Sequence, residues 1–195
     1  MKLVCGVGVN DADYDISISE RIGSKVKIYW LCPFYRTWIN MIHRCYSEKS
    51  YHTYKGCSTV PEWHYFMTFR KWMLEQEWEG KQLDKDILFP GNKVYGPDTC
   101  VFVSAKVNSF ITESTSMRGE WPIGVNFRKD RGKYQARCWS VVTGKIKYLG
   151  YHASPEEAHQ AWLTFKLEQA KILASQQTDK RVAKALIERY ENYVS

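Results

Sequence analysis

Apolar side chains recur along this chain with two different periods, and the change of period divides it. In PFYRTWINMIHRCY, residues 33–46, Phe34, Trp38, Met41, Ile42 and Cys45 fall three or four positions apart, on one face of a helix. Arg36, Asn40, His43 and Arg44 occupy the other face. Pro33 suits the first helical position, because the N–H it lacks would have no partner in the first turn. A second helical repeat begins at Pro61–Glu62 and carries Trp63, Phe66, Phe69, Trp72 and Met73. That spacing makes the tryptophans a core between two helices rather than a base-stacking surface. Ahead of both helices, residues 1–31 read as extended chain with turns, and VKIYW at 26–30 reads as a strand. The stretch between the helices is a loop marked by Gly56.

From residue 81 to 111 the pattern becomes strand, turn, strand and short helix. LDKDILF stops at Pro90–Gly91, VYGPDTCVFV contains a second Gly–Pro turn, and AKVNSFI has helical character. Small polar residues and Gly119 then mark a linker over 113–120.

Past the linker the period drops to two. In KYQARCW, Lys133, Gln135, Arg137 and Trp139 share one face, while Tyr134, Ala136 and Cys138 share the other. IGVNFRK precedes this strand through a turn at Asp130–Arg131–Gly132, and KIKYLGYH follows it through Thr143–Gly144. Ser154 is a helix cap, with Pro155 at the first position and Glu156–Glu157 in the first turn. Ala158, Ala161, Trp162 and Phe165 form the apolar side of that helix, which covers one face of the sheet. The tail has a further amphipathic pattern, and both packing back and dimerising are open to it.

These elements predict an α+β fold. An N-terminal helical region with a small β–β–α unit (1–112) leads through the linker to a three-stranded antiparallel sheet packed on one helix (121–172). A helical tail (173–195) ends the chain.

The formal charge of +7 favours polyanionic partners. Residues 121–152 concentrate it: Arg128, Lys129, Arg131, Lys133, Arg137, Lys145 and Lys147 face one acid, Asp130. Aromatic residues alternate with them. Guanidinium groups suit guanine edges and lysines suit phosphates. The expected partner is therefore double-stranded DNA, and Arg128, Lys129, Lys133, Gln135, Arg137, Trp139, Lys145 and Lys147 are the expected contacts. No apolar run reaches membrane-spanning length and no signal peptide is read, so no membrane partner is expected and the expected location is the cytosol. The six cysteines contain no CxxC pair and read as buried free thiols. A zinc site from Cys32, Cys45, Cys57 and a histidine is the alternative.

The second segment resembles the plant ethylene-response-factor type of DNA-binding domain over about 50 residues. The matching residues are Gly124–Val125, Arg128, Tyr134, Ala136–Arg137, Tyr148–Leu149–Gly150, Glu156–Glu157–Ala158 and Ala161. The resemblance implies a sheet laid in the major groove, with Arg128, Arg137 and Trp139 reading it.

Residues 31–112 resemble a divergent phage HNH homing-endonuclease family. They do so through Trp38, Met41, Arg44–Cys45–Tyr46, Trp63, Phe66 or Phe69, Trp72, Leu83–Asp84–Lys85, Asn92, Tyr95, Pro97, Cys100, Phe102 and Asn108. That resemblance implies a ββα-metal unit in a phage-encoded enzyme acting in a bacterial host. One Mg²⁺ or Mn²⁺, held by Asp84 and Asn108, would stabilise the leaving oxygen of a phosphodiester. Lys85 stands where the family has its general-base histidine, and Asp86 is a substitute base. His43, His52 and His64 are further substitutes, each better read as structural. The alternatives are a DNA-binding protein without cleavage and a protein-interaction module. A homodimer, which could cut both strands, is open.

Overall fold

The indole of Trp38 has no exposure to solvent, and its Nε1 donates to the Trp63 carbonyl oxygen at 2.8 Å. This bond joins two helical segments of a computed structural model that describes residues 3–49, 52–112 and 120–193. The chain forms two units, Met1–Asn108 and Ser109–Ser195. It is mixed α+β, with five α-helices and several small sheets among the described residues. No helix among them is long and apolar enough to cross a membrane.

In the first unit, helix α1 (Pro33–Tyr46) contributes Tyr35, Trp38, Met41 and Ile42 to the core. The second helical repeat splits in two. A 3₁₀ turn over Pro61–His64 carries Trp63, and α2 (Phe66–Leu74) begins only after Tyr65, whose backbone is extended. The cause is the N-terminal segment: Val9 N–H donates to His64 O, and Phe66 N–H donates to Val9 O. A parallel bridge at Tyr65 is incompatible with a helix running through it. Trp63, Phe66, Phe69 and Met73 still reach one core, as their spacing predicts.

Strands β1 (Ser17–Ile22) and β2 (Lys25–Leu31) make an antiparallel hairpin, turned by Gly23 at φ 63°. The two-residue strands β3 (Ser58–Thr59) and β5 (Val94–Tyr95) pair in parallel, which the sequence pattern does not suggest. Strand β4 (Lys81–Asp84) pairs antiparallel with β6 (Val101–Ser104), and α3 (Ala105–Ile111) follows directly. Strand, strand and helix thus occur in the expected order, and Asp84 opposes Val101 at the end of the ladder.

In the second unit, β7 (Val125–Arg128), β8 (Lys133–Ser140) and β9 (Lys145–His152) form an antiparallel sheet in that order. Helix α4 (Pro155–Ala174) covers one face. Ser154 Oγ accepts from Glu157 N–H, as a cap should. Val125, Ala136 and Ala158 form a small cluster between sheet and helix, with Trp121, Tyr134, Leu149 and Ala161 around it. The tail packs back: α5 (Lys180–Glu191) buries Val182, Leu186 and Tyr190, spaced one turn apart. The Tyr190 hydroxyl and the Lys166 ammonium both donate to Phe110 O, so the last turn of α3 belongs to this unit. The expected linker lies almost wholly outside the described residues.

All six cysteines are free, and four of them are buried. Among the described residues no three His, Cys, Asp or Glu side chains gather as a metal-binding group. Burial pushes the thiols of Cys45 and Cys100 up to about 12.

Two predictions follow from this packing. Gly124 has φ 82°, and a Cβ there would overlap the indole of Trp162. Gly124→Ala should therefore cost about 2–4 kcal/mol, from the left-handed backbone and the overlap together, read as a lowered urea midpoint. Thiolate forms only well above neutral pH when a thiol is raised to about 12, so Cys45 and Cys100 should resist alkylation at pH 8 in the folded protein. In denaturant all six cysteines should label quickly; mass spectrometry of modified peptides gives the comparison.

Candidate functional site

The β7–β9 sheet leaves one face uncovered. On β8, Lys133, Arg137 and Trp139 are exposed, while Ala136, Cys138 and Ser140 are buried towards the helix side. This is the predicted alternation. Arg137 opposes Tyr148 and Trp139 opposes Ile146, so two mixed pairs lie across the open face. Trp139 is 55% and Tyr148 65% exposed, large values for aromatic groups that could instead be buried. Gln135 also lies on this face but is nearly covered, because its Nε2 donates to the Tyr151 hydroxyl at 3.0 Å.

Lys145 and Lys147 do not join this face. Counting back from Tyr151 in twos would bring Leu149, Lys147 and Lys145 outward. The pairing of β8 with β9 shifts between Ala136 and Arg137, and the extra residue of that bulge is Leu149. One added residue reverses the sense of everything before it. Tyr148 and Ile146 therefore turn outward. Lys147 opposes Cys138, Lys145 opposes Ser140, and the Lys147 ammonium lies 4.6 Å over the ring of Phe165 on α4. Both lysines remain exposed, on the helix side of the sheet. Leu149 goes into the core cluster.

At the β7–β8 turn the open face is basic. Arg128 and Lys133 are directly opposed, and Lys129 and Arg131 are exposed in the turn. Asp130 lies between them. Its carboxylate accepts from Arg128 Nε at 2.9 Å and from Nη2 at 3.2 Å, and Arg131 Nε is 3.8 Å away. The hydrogen bond from Arg128 holds the Asp130 carboxyl below the usual carboxylate range. The Arg131 guanidinium stacks on Tyr151 at 4.7 Å. Asp130, Arg131, Tyr148 and Tyr151 were not among the expected contacts. Arg131 was readable from charge; Tyr148 reaches this face only through the bulge, which Tyr151 does not need.

In the first unit, Asp84 closes β4. Its Oδ1 accepts from the backbone N–H groups of Asp86 at 2.9 Å and Ile87 at 2.7 Å, holding the turn that leaves the strand. Burial, and next the charge of Asp86, push its carboxyl above the usual range, against those two donors. Asn108 on α3 donates to Gln82 Oε1 at 2.6 Å. Gln82 and Asp84 are two apart on β4 and share a face, about 7 Å apart along the strand. Asp84 and Asn108 are thus brought to the same side of the hairpin. Both side chains carry an oxygen acceptor, a carboxylate and an amide, and the Asp86 carboxylate follows two residues after Asp84.

Lys85 is tied into the loop that follows β4. Its buried ammonium donates to Asp86 Oδ2 at 3.0 Å and to Asn92 O at 2.8 Å. Asn92 in turn donates to Lys85 O and Val94 O, both at 2.7 Å. Lys85 and Asn92 are a clamp across the loop between β4 and β5, in which the lysine acts as a charged donor. Asn92 matched the resemblance without a role, and this is the role the geometry gives it. Of the histidines, His43 faces solvent on α1, and His64 Nε2 is bonded to the Tyr46 hydroxyl at 3.2 Å. His52 opens a 3₁₀ turn over His52–Tyr54.

A shallow groove of about 520 Å³ lies elsewhere in this unit, floored by Val60, Trp63 and Trp72. Its rim carries Glu62, Glu75 and Asp98 against the single cation Lys71, the wrong sign for a phosphate. Compared with known proteins, the chain matches no family model, no curated protein and no solved structure.

Proposed function

We propose that this chain is a DNA endonuclease of the HNH type. On this reading the open face of the β7–β9 sheet grips double-stranded DNA. The β4–β6–α3 unit then hydrolyses a phosphodiester with one Mg²⁺ or Mn²⁺. The observation that carries the DNA-binding half is the open face itself. Arg128, Arg131, Lys133 and Arg137 are set among exposed Trp139, Tyr148 and Tyr151 on a rigid, helix-backed sheet. Guanidinium groups supply phosphate and base-edge contacts, and the aromatic rings supply apolar contact area.

The catalytic half is supported by Asp84 and Asn108 on one side of the hairpin. A cation there would neutralise phosphate charge and stabilise the leaving oxygen. The Asp84 carboxyl is pushed up by burial and next by the charge of Asp86, and a cation held there would offset both. Asp86 is the remaining carboxylate beside it and is the assigned acceptor of the proton from the attacking water. Lys85 keeps Asp86 in place through their ion pair.

A second reading is DNA binding without cleavage. The clamping of Lys85 favours it, because the position that follows the metal carboxylate then holds a structural cation and no base.

Relaxation of supercoiled DNA in Mg²⁺ or Mn²⁺ separates the two. Nicking that needs metal and falls below about one hundredth in Asp84→Ala supports the endonuclease. DNA retardation without any nicking leaves the binding protein. Arg137→Ala should weaken binding roughly tenfold by gel shift and leave cleavage at saturating protein unchanged. If Arg137→Ala binds as the parent does, the open face is not the grip.

A further inference from the structure

One end of the open face contains a connected set of polar groups. Arg128 donates two hydrogen bonds to Asp130, Arg131 approaches the same carboxylate, Arg131 stacks on Tyr151, and Tyr151 accepts from Gln135. Asp130 is also the only acid from residue 121 to 152, against seven Lys and Arg. A carboxylate in that position weakens the attraction of the surface for phosphate, so its contribution has to be sought in geometry.

The guanidinium of arginine has five N–H groups and two edges that can dock a pair of acceptors. One is the side edge, formed by Nε and Nη2. The other is the end edge, formed by Nη1 and Nη2. Asp130 occupies the side edge of Arg128, with Nε to Oδ1 at 2.9 Å and Nη2 to Oδ2 at 3.2 Å. The end edge keeps both of its outward N–H groups. That edge matches the O6 and N7 acceptors of guanine, which lie side by side in the major groove. A fixed guanidinium plane also loses less rotamer freedom on binding than a loose one.

Building on the DNA-binding reading, we propose that Asp130 is a positioning residue: it holds the side edge of Arg128 so that the end edge is presented to a guanine in the major groove. Arg131, oriented by the same carboxylate and by Tyr151, lies beside it as a phosphate contact. Arg128 is thus a specificity-determining residue whose selectivity depends on Asp130.

A simpler role for Asp130 is relief of charge repulsion in the hairpin, since Arg128 and Lys133 are directly opposed. That role would show in stability and leave base preference alone. The test is selection of binding sites from a randomised duplex library by the full chain, with EDTA present to prevent cleavage. Each position of the selected site is then substituted and its affinity measured for the parent protein, Asp130→Asn and Arg128→Lys. The parent is expected to select a site with a guanine whose replacement by adenine weakens binding roughly tenfold or more. Both variants should lose most of that discrimination. Asp130→Asn should bind unrelated DNA as well as the parent or better, with a slightly steeper salt dependence, because it removes a negative charge. Undiminished discrimination in Asp130→Asn would overturn the proposal, whatever its melting temperature. So would a parent protein that binds all sequences alike, in which case the DNA-binding reading stands alone. Absence of any DNA binding removes both.

Discussion

Trp162 of α4 lies on the backbone of Gly124, so close that no side chain fits between them. Much of the second unit depends on this approach. Gly124 at φ 82° leads into β7, and Ala136 and Ala158, both without exposure, let the helix come down on the middle of the sheet. Small residues at the contact bring sheet and helix together; aromatic residues at its edge, Trp121, Phe127 and Tyr134, fill the remaining space. Because one face is sealed so tightly, every second residue of β8 is forced to the other. The basic and aromatic residues stay outside because α4 has no room for them, and their charge makes the exposed position the cheaper one.

The bulge in β9 completes that surface. A regular β9 would present two lysines beside Arg137 and Trp139. The inserted Leu149 exchanges them for Tyr148 and Ile146 and sends Leu149 itself into the core. The open face therefore has fewer charges and more ring area than its sequence suggests. In the first unit side-chain orientation is similarly constrained by backbone. Asp84 stabilises the turn after β4 with one oxygen, and the Lys85–Asn92 clamp fixes the loop that follows. A carboxylate held this way has its orientation fixed by the backbone of its own turn.

Much of the fold was legible from local pattern. Helix α1 follows from Pro33 and the Trp38–Met41–Ile42 spacing, the β8 alternation from KYQARCW, and the α4 start from Ser154–Pro155–Glu156. Each is decided within a few residues. The second helix was legible only in part: its apolar spacing was right, but its start moved to Phe66 because Val9, far away in sequence, takes the backbone bonds on either side of Tyr65. The candidate residues divide the same way. Arg128, Lys133, Arg137 and Trp139 stand on the open face as their alternation requires. Lys145 and Lys147 leave it because of a bulge with no sequence signature beyond Gly150.

The sequence by itself determined which segments are helical, which strands have one apolar side, and where positive charge concentrates, because propensity, periodicity and charge are local properties. Tertiary structure alone decided three things: that Lys85 is held between Asp86 and Asn92, that Asn108 bonds Gln82 on the strand face that Gln82 shares with Asp84, and that Tyr148 and Ile146 rather than Lys147 and Lys145 turn to the open face. Each depends on which groups a turn or a more distant segment of chain brings within hydrogen-bonding distance, or on a single added residue that reverses the facing of a strand. Neither leaves a periodic trace in the sequence.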